Sequence, residues 1–294
     1  MKNVISMVVG LLLFSSCARG QDMSGHNHAT PGPSAEAVES QDWAKQRLAK
    51  SPRHQEWVKV KNGNREVNSF VVYPEVKNKA TAVVVIHEIF GMSDWVQSLT
   101  DQLAEAGYIA IAPDLLSGMG PNGGGTSSLD RNGVGQAIRD LPPDQITADL
   151  NAVADYVSKL PAANGKVVVT GYCWGGSQSF RFATNRPSLK AAFVFYGSAP
   201  TASGSSSTID KEALAKIAEP VYGFYAGNDA RIDQTVPPTT EAMNELKKTY
   251  EPVTYEGAGH GFMRAGEDPN DKNPANKKAR DDAWKRWREI LAKT

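Results

Sequence analysis

The sequence predicts an α/β fold, with a mostly parallel, doubly wound sheet and helices on both faces. Short runs of β-branched and apolar residues alternate with segments whose apolar residues recur at helical spacing. The run at residues 81–86 is rich in β-branched residues and has no polar alternation, as in a strand covered on both faces. Residues with reactive side chains directly follow several of these runs. Ligands of open α/β sheets bind at that edge, so the predicted fold also predicts where a site would lie.

The length and charge favour a small-molecule enzyme. A chain of 294 residues is long enough for one large α/β domain with a full core. Its 32 basic and 32 acidic residues give a formal net charge of zero. No sequence-wide basic field is therefore available for nucleic acid, and no nucleic-acid partner is expected. We expect a monomer.

Residues 1–20 have the features of a bacterial signal peptide. Lys2 provides the positive start, and the apolar run at residues 4–14 is too short to span a bilayer comfortably. The letters "FSSC", ending at Cys17, resemble a lipoprotein signal, in which Cys17 becomes a lipidated N-terminus that attaches the protein to a membrane. Alternatively, the A-x-G sequence at residues 18–20 is a cleavage site that releases a soluble protein. The lipoprotein is favoured, so the expected location is the periplasm or the outer membrane.

Residues 21–50 are predicted to be a flexible tether and lead-in, followed by a single domain over residues 51–294. The tether is polar, contains Pro, Gly and Ser, and has no hydrophobic period up to residue 41. His26 and His28 form an H-x-H pair, which in such a linker is more typical of solvated side chains than of a metal site. No metal and no cofactor are expected.

The domain begins with a predicted hairpin and continues as alternating strands and helices. The hairpin strands, residues 57–60 and 67–73, are joined around Asn62-Gly63, a strong turn dipeptide. Further strands are predicted at residues 81–86, 108–112, 167–170, 192–196, 221–226 and 253–255. Apolar residues at helical spacing predict helices over residues 95–106, 146–160 and 283–291.

A glycine-rich region, residues 117–135, interrupts this alternation. It contains seven glycines and no P-loop lysine, so it is not a phosphate-binding loop. Two interpretations stay open, a mobile lid over a site and a disordered surface insertion.

The letters "GYCWG", residues 171–175, indicate a nucleophile. They have the form G-x-C-x-G, the cysteine version of the strand-to-helix turn that exposes a catalytic serine in G-x-S-x-G enzymes. Such a turn places Cys173 at a helix N-terminus, where the dipole favours a thiolate. The backbone N–H of Trp174 would then face a developing oxyanion. The alternative is a small buried cysteine in a tight turn.

A base and an orienting acid follow in the order found in α/β-hydrolases. His260 lies in the glycine-rich letters "GAGHGF" after the last predicted strand, and Asp229 follows the preceding strand. We predict that Asp229 orients His260 for proton transfer from Cys173. Asp233 is close enough in sequence to be the alternative acid.

Four motifs resemble the dienelactone hydrolase family, also called carboxymethylenebutenolidases: "VIHEIFGM", "GYCWGG", "GNDARID" and "GAGHGFMR". The resemblance extends from about residue 50 to the C-terminus. It implies an α/β-hydrolase fold and a catalytic triad of Cys173, Asp229 and His260 that hydrolyses a lactone ester.

The resemblance also implies roles for residues around the triad. Glu88 would pair with the resting cysteine, and the N–H of Ile89 would be the second oxyanion donor beside that of Trp174. Arg264 would bind a substrate carboxylate. A second such arginine is not placed by the family pattern, and Arg131 and Arg139 are the candidates.

These features predict a cofactor-independent hydrolase of carboxylic esters or lactones that works through a thioester acyl-enzyme. The alternative is a non-catalytic, tethered small-molecule-binding protein on a hydrolase scaffold. A redox thiol is disfavoured, because Cys17 and Cys173 are the two cysteines and no C-x-x-C motif is present.

Overall fold

The computed structural model describes residues 41–202 and 208–294, in which eight strands form one twisted sheet. The order across the sheet is β1-β2-β4-β3-β5-β6-β7-β8, antiparallel between β1, β2 and β4 and parallel elsewhere. The strands are β1 Gln55–Asn62, β2 Arg65–Val72, β3 Ala80–Ile86, β4 Ile109–Pro113, β5 Ala163–Tyr172, β6 Ala192–Phe195, β7 Val221–Ala226 and β8 Tyr250–Tyr255. The mostly parallel α/β sheet is confirmed. The predicted signal peptide, Cys17 and residues 21–40 of the tether lie outside the described residues.

Ten α-helices accompany these strands in the described part of the chain. They are α1 Asp42–Ala49, α2 Asp94–Glu105, α3 Arg131–Asp140, α4 Pro143–Ser158, α5 Trp174–Ala183, α6 Lys211–Ala215, α7 Ala230–Asp233, α8 Val236–Glu245, α9 Phe262–Ala265 and α10 Pro274–Leu291. None of these helices is long and apolar enough to cross a membrane.

The sheet is covered on both faces, as the β-branched run of β3 predicts. Successive side chains of β3 alternate between two hydrophobic cores: Val84 and Ile86 belong to one, and Val83 and Val85 to the other. The apolar face of α4 packs on the first core and that of α2 on the second. The fold is therefore doubly wound, with helices on both faces.

The predicted hairpin is present, and Gly63 provides its turn. β1 and β2 pair in register from Gln55–Val72 to Asn62–Arg65. Gly63 has φ +58°, a conformation that glycine adopts at no steric cost.

Helix α1 is an element that the sequence analysis did not predict. It lies within the residues expected to be lead-in, and it packs on α2 through the fully buried Ala44. The Oε1 atom of Gln41 accepts a hydrogen bond of 2.7 Å from the backbone N–H of Trp95 at the start of α2. These are tertiary contacts, which the weak apolar pattern of residues 42–49 does not reveal.

The glycine-rich region contains more local structure than either interpretation predicted. Asp114 accepts hydrogen bonds of 2.8 Å from the backbone N–H and the hydroxyl of Thr126. The hydroxyl of Thr126 in turn accepts a bond of 3.1 Å from the N–H of Met92. Residues 131–135 already belong to α3, whose N-cap, Asp130, accepts a bond from the N–H of Gly133. The region is therefore a loop fastened beside residues 91–92, followed by a helix.

Candidate active site

Cys173 occupies a strained turn between β5 and α5. Its backbone has φ 57° and ψ −118°, a conformation that a residue with a side chain rarely adopts. A Cβ atom on Gly171 would overlap the carbonyl of Gly175, and one on Gly175 would overlap the carbonyls of Ile86 and His87. The glycines of the G-x-C-x-G motif are therefore required, because the helix start passes directly against the end of β3.

This turn presents the sulfur of Cys173 at the N-terminus of α5. Cys173 is half-buried, and it is a free cysteine. Its N–H donates a 3.1 Å hydrogen bond to the carbonyl of Phe195 at the end of β6. The positive end of the dipole of this ten-residue helix lies at the sulfur, where it stabilises negative charge.

His260 lies between Asp229 and Cys173. Its Nδ1 is hydrogen-bonded to Oδ2 of Asp229, a carboxylate that is only 8% exposed. Cys173 is the other partner that acts on the imidazole, and Nε2 is the ring nitrogen that Asp229 leaves free for the sulfur. The alternative acid, Asp233, lies elsewhere and accepts a 3.1 Å bond from the hydroxyl of Thr254. The structure thus brings together the three predicted residues in the order sulfur, imidazole and carboxylate.

The neighbours of His260 favour its protonated form. Burial acts to lower the pKa, but the hydrogen bonds with Asp229 and Cys173 outweigh it and raise the pKa of His260 to about 9. An imidazolium beside a sulfur stabilises the thiolate, which is the nucleophilic form.

Tyr196 is a site residue that the sequence analysis missed. It directly follows β6 with φ 40°, is fully buried, and its ring meets that of His260 in an edge-to-face contact with 5.0 Å between the centroids. Burial raises the pKa of its hydroxyl well above the ordinary value, so the hydroxyl stays neutral. That hydroxyl has no hydrogen-bond partner among the described residues. Tyr196 immediately follows a strand, at the edge of the sheet that carries Cys173, and this position in the sequence could have identified it as a site residue.

Glu88 is paired with Arg264, which differs from the expected pairing with the cysteine. Nε of Arg264 donates a 2.8 Å hydrogen bond to Oε2 of Glu88, and both side chains are buried. In residues 41–202 and 208–294, no hydrogen bond joins Glu88 to Cys173. A buried carboxylate and a buried guanidinium neutralise each other, which is a physical reason for this arrangement. Arg264 also lies over the ring of Phe90, 5.2 Å from its centroid.

The two predicted oxyanion donors lie on facing segments. Ile89 follows β3, Trp174 opens α5, and neither backbone N–H donates a hydrogen bond within the described residues. His87 links the two segments: its ring stacks on Trp174 at 5.4 Å, and its Nδ1 lies 2.8 Å from the carbonyl of Glu88. Burial lowers the pKa of His87, so the neutral ring donates from Nδ1 to that carbonyl.

The two candidate arginines for a second carboxylate contact both belong to α3. Arg131 and Arg139 line an open cleft of about 610 Å³ together with Ile89 and Phe90. They are therefore close to the proposed oxyanion donor Ile89, although on a different element from Arg264. Within the described residues, no group of three or more His, Cys, Asp or Glu side chains could hold a metal ion.

This fold and this site define an enzyme of the α/β-hydrolase class, and known proteins give the family. The family model of the dienelactone hydrolase family matches residues 67–294. A protein of Saccharolobus solfataricus, named "Putative carboxymethylenebutenolidase", is 32% identical over 259 residues, which cover 77% of this chain and 93% of that protein. A protein of the same name from Salmonella typhi is 31% identical over 201 residues and covers 67% of this chain and 73% of its own.

A solved structure supports the same family. A "Putative Dienelactone Hydrolase" of Klebsiella pneumoniae subsp. pneumoniae superposes with a TM-score of 0.69 at 25% identity, covering 82% of this chain and 99% of that one. The chain therefore belongs to the dienelactone hydrolase family, whose members are hydrolases of ester and lactone bonds.

Proposed function

We propose that this chain hydrolyses carboxylic esters or lactones through a thioester formed on Cys173. The observation that carries the proposal is the arrangement of Cys173 at the start of α5, next to an imidazole whose other nitrogen is held by Asp229. A small-molecule ester or lactone is the substrate, and no cofactor takes part.

Acylation begins with the thiolate of Cys173, which forms a bond to the carbonyl carbon of the substrate. The carbonyl oxygen becomes an oxyanion and accepts hydrogen bonds from the N–H groups of Ile89 and Trp174. The tetrahedral intermediate then collapses, and the imidazolium of His260 gives its proton to the leaving alcohol.

Deacylation needs His260 in its neutral form, because the imidazole must take a proton from the attacking water. Acylation itself favours this change. The hydrogen bond and the charge of Cys173 help to raise the pKa of His260, and neither remains once the sulfur is in a thioester. The water attacks the thioester carbonyl, and the acid product leaves with Cys173 restored.

Glu88 and Arg264 are proposed to respond to the substrate. Arg264 uses Nε for Glu88, while its terminal nitrogens make no hydrogen bond in the described part of the chain. A carboxylate on the substrate would bind these nitrogens and compete with Glu88 for the guanidinium. Glu88 would then be free to accept the proton of any Cys173 that is still a thiol, which gives the thiolate and imidazolium from which acylation begins.

Mass spectrometry during turnover of an aryl ester tests the proposed nucleophile. We expect the wild-type protein to gain the mass of one acyl group on Cys173, and Cys173→Ala to gain none and to lose at least about 1,000-fold in kcat. Cys173→Ser is the matched control for shape, since serine fits the same turn. Full turnover by Cys173→Ala, or a protein that is neither acylated nor active, would exclude this function and favour a binding protein.

Export is a separate proposal, supported by the sequence of residues 1–20 alone. We propose that the protein is a periplasmic or outer-membrane lipoprotein attached through Cys17. Incorporation of labelled palmitate into the wild type and not into Cys17→Ser would be the expected result.

A further inference from the structure

An apolar cleft adjoins the candidate active site on the side of the oxyanion donors. Its volume is about 380 Å³, which lies within the range of about 300–1,000 Å³ of small-molecule sites. Six of its lining residues are Ile89, Ile138, Leu141, Ile146, Trp174 and Gln178. Gly135, Pro143, Arg139 and Arg181 complete the lining of this space, the apolar cleft.

One face of α5 forms a wall of the apolar cleft. Trp174 and Gln178 are four residues apart, so they lie above one another on the same side of the helix. Gly175, Ser179 and Phe180 are buried and lie on the side that packs against the sheet. The wall thus begins at the residue directly after the nucleophile.

The opposite wall comes from α3, α4 and the link between them, and most of its residues other than Arg139 are apolar. Ile138, Leu141 and Ile146 are each 5% exposed or less, which shows that they are held by the core rather than free at the surface. Ile89, by contrast, is 43% exposed at the mouth of the apolar cleft. An apolar group that entered would cover this side chain and gain the free energy of burying it.

The position of the apolar cleft identifies which half of an ester it would hold. The two residues whose N–H groups face the oxyanion, Ile89 and Trp174, both line it. His260, which protonates the leaving alcohol, does not line it, and neither does any other residue of the loop 257–264. The leaving alcohol therefore lies on the His260 side, and the acyl group lies on the side of the apolar cleft.

We propose that the apolar cleft binds the acyl group of the substrate, so that the enzyme prefers esters of apolar carboxylic acids. This inference rests on the proposed function. It adds to that function the substrate class and the residues that select it.

A series of p-nitrophenyl esters with acetyl, butyryl and hexanoyl groups tests the preference, because the leaving group stays constant. We expect kcat/KM of the wild type to rise at least about tenfold from the acetate to the hexanoate, since each added methylene is transferred into an apolar pocket. Equal values for the three esters would overturn the inference.

Gly135→Leu tests whether the acyl group binds in the apolar cleft. Gly135 lines the apolar cleft on α3, and the nearest atom to a Cβ placed on it is Nη1 of Arg139 at 3.6 Å, so a side chain fits without a clash. We expect the leucine to fill space in the apolar cleft and to lower kcat/KM for the hexanoate at least tenfold more than for the acetate. Asp140→Leu adds the same side chain to the exposed end of the same helix, outside the apolar cleft, and should leave the ratio unchanged.

Two results separate the inference from the proposed function. If Cys173→Ala hydrolyses the acetate as fast as the wild type, the proposed function fails and the inference falls with it. If hydrolysis depends on Cys173 but Gly135→Leu alters the dependence on the alkyl chain of 4-alkylphenyl acetates instead, the apolar cleft holds the alcohol and the acyl assignment is wrong.

Discussion

His260 is stabilised as an imidazolium by partners on both of its nitrogens. Asp229 and Cys173 raise its pKa to about 9, whereas the pKa of an exposed histidine is about 6.5. A proton is therefore bound more tightly in the folded state than in the unfolded state. The tighter proton binding stabilises the folded state. This contribution to the free energy of unfolding is complete below about pH 6.5 and is lost as the pH rises through about 9.

We therefore expect the effect of His260→Gln on the free energy of unfolding to depend on pH. The variant should be less stable than the wild type at pH 6, and the difference should shrink steadily and be smallest at pH 10. Urea unfolding at pH 6, 8 and 10 measures this. His54→Gln, at an exposed histidine, is the control for loss of an imidazole and should change stability by less than about 0.5 kcal/mol. If the free energies of unfolding of His260→Gln and the wild type differ by the same amount from pH 6 to 10, the pKa of His260 is not raised in the folded state.

Helix α5 approaches the sheet closely because its first turn contains two glycines. A side chain at Gly175 would overlap the backbone carbonyls of Ile86 and His87, and one at Gly176 would overlap the carbonyl of Phe195. The start of α5 is thus held between the ends of β3 and β6, and this contact sets the position of Cys173.

Alanine at Gly175 should consequently be destabilising, by about 1–3 kcal/mol, because backbone atoms must move to admit the methyl group. Gly135→Ala on α3 is the matched control. There the Cβ makes only an ordinary contact of 3.6 Å with Nη1 of Arg139, so alanine should stabilise the helix by about 0.5–1 kcal/mol. Thermal and urea unfolding of both variants provide the measurement, and changes of the same sign would show that close packing does not decide the residue at 175.

A buried carboxylate connects the antiparallel hairpin to the parallel part of the molecule. Asp149 on α4 is fully buried and accepts bonds of 2.9 Å from Arg65 and 2.7 Å from Asn62. Arg65 also donates to the carbonyl of Leu115 after β4. The ends of β1 and β2 are thus tied to a helix that covers the centre of the sheet.

Asp149→Ala should cost about 3 kcal/mol in the free energy of unfolding, because it leaves the half-buried guanidinium of Arg65 only partly paired. The control is Asp155→Ala on the same helix. Its carboxylate is 56% exposed and pairs with Arg186, so its loss should cost less than about 1 kcal/mol. If the two substitutions cost the same, the hairpin does not depend on this buried contact.

Local patterns predicted the eight strands, the helices α2, α4, α5 and α10, and the reactive residues that follow the strands, whereas α3 and α6 to α9 were not predicted. The β-branched runs, the helical periodicity and the dipeptide Asn62-Gly63 predicted the sheet and the hairpin, because such signals depend on side chains only a few residues apart. The "GYCWG" letters predicted the turn at Cys173 for the same reason, since its steric requirement falls on the glycines of the motif itself. Helix α1 and the fastened glycine-rich loop were not predicted, because they depend on distant partners such as Gln41 with Trp95.

The sequence alone thus determined the family resemblance, the order of the eight strands along the chain, and a set of reactive residues at one edge of the sheet. Only the tertiary structure decided which of them touch. It placed Asp229 rather than Asp233 against His260, paired Glu88 with Arg264, brought Tyr196 beside the imidazole, and opened the apolar cleft next to Ile89 and Trp174. Glu88 and Arg264 are 176 residues apart. Contacts over such distances depend on the order of strands across the sheet, which no local pattern encodes.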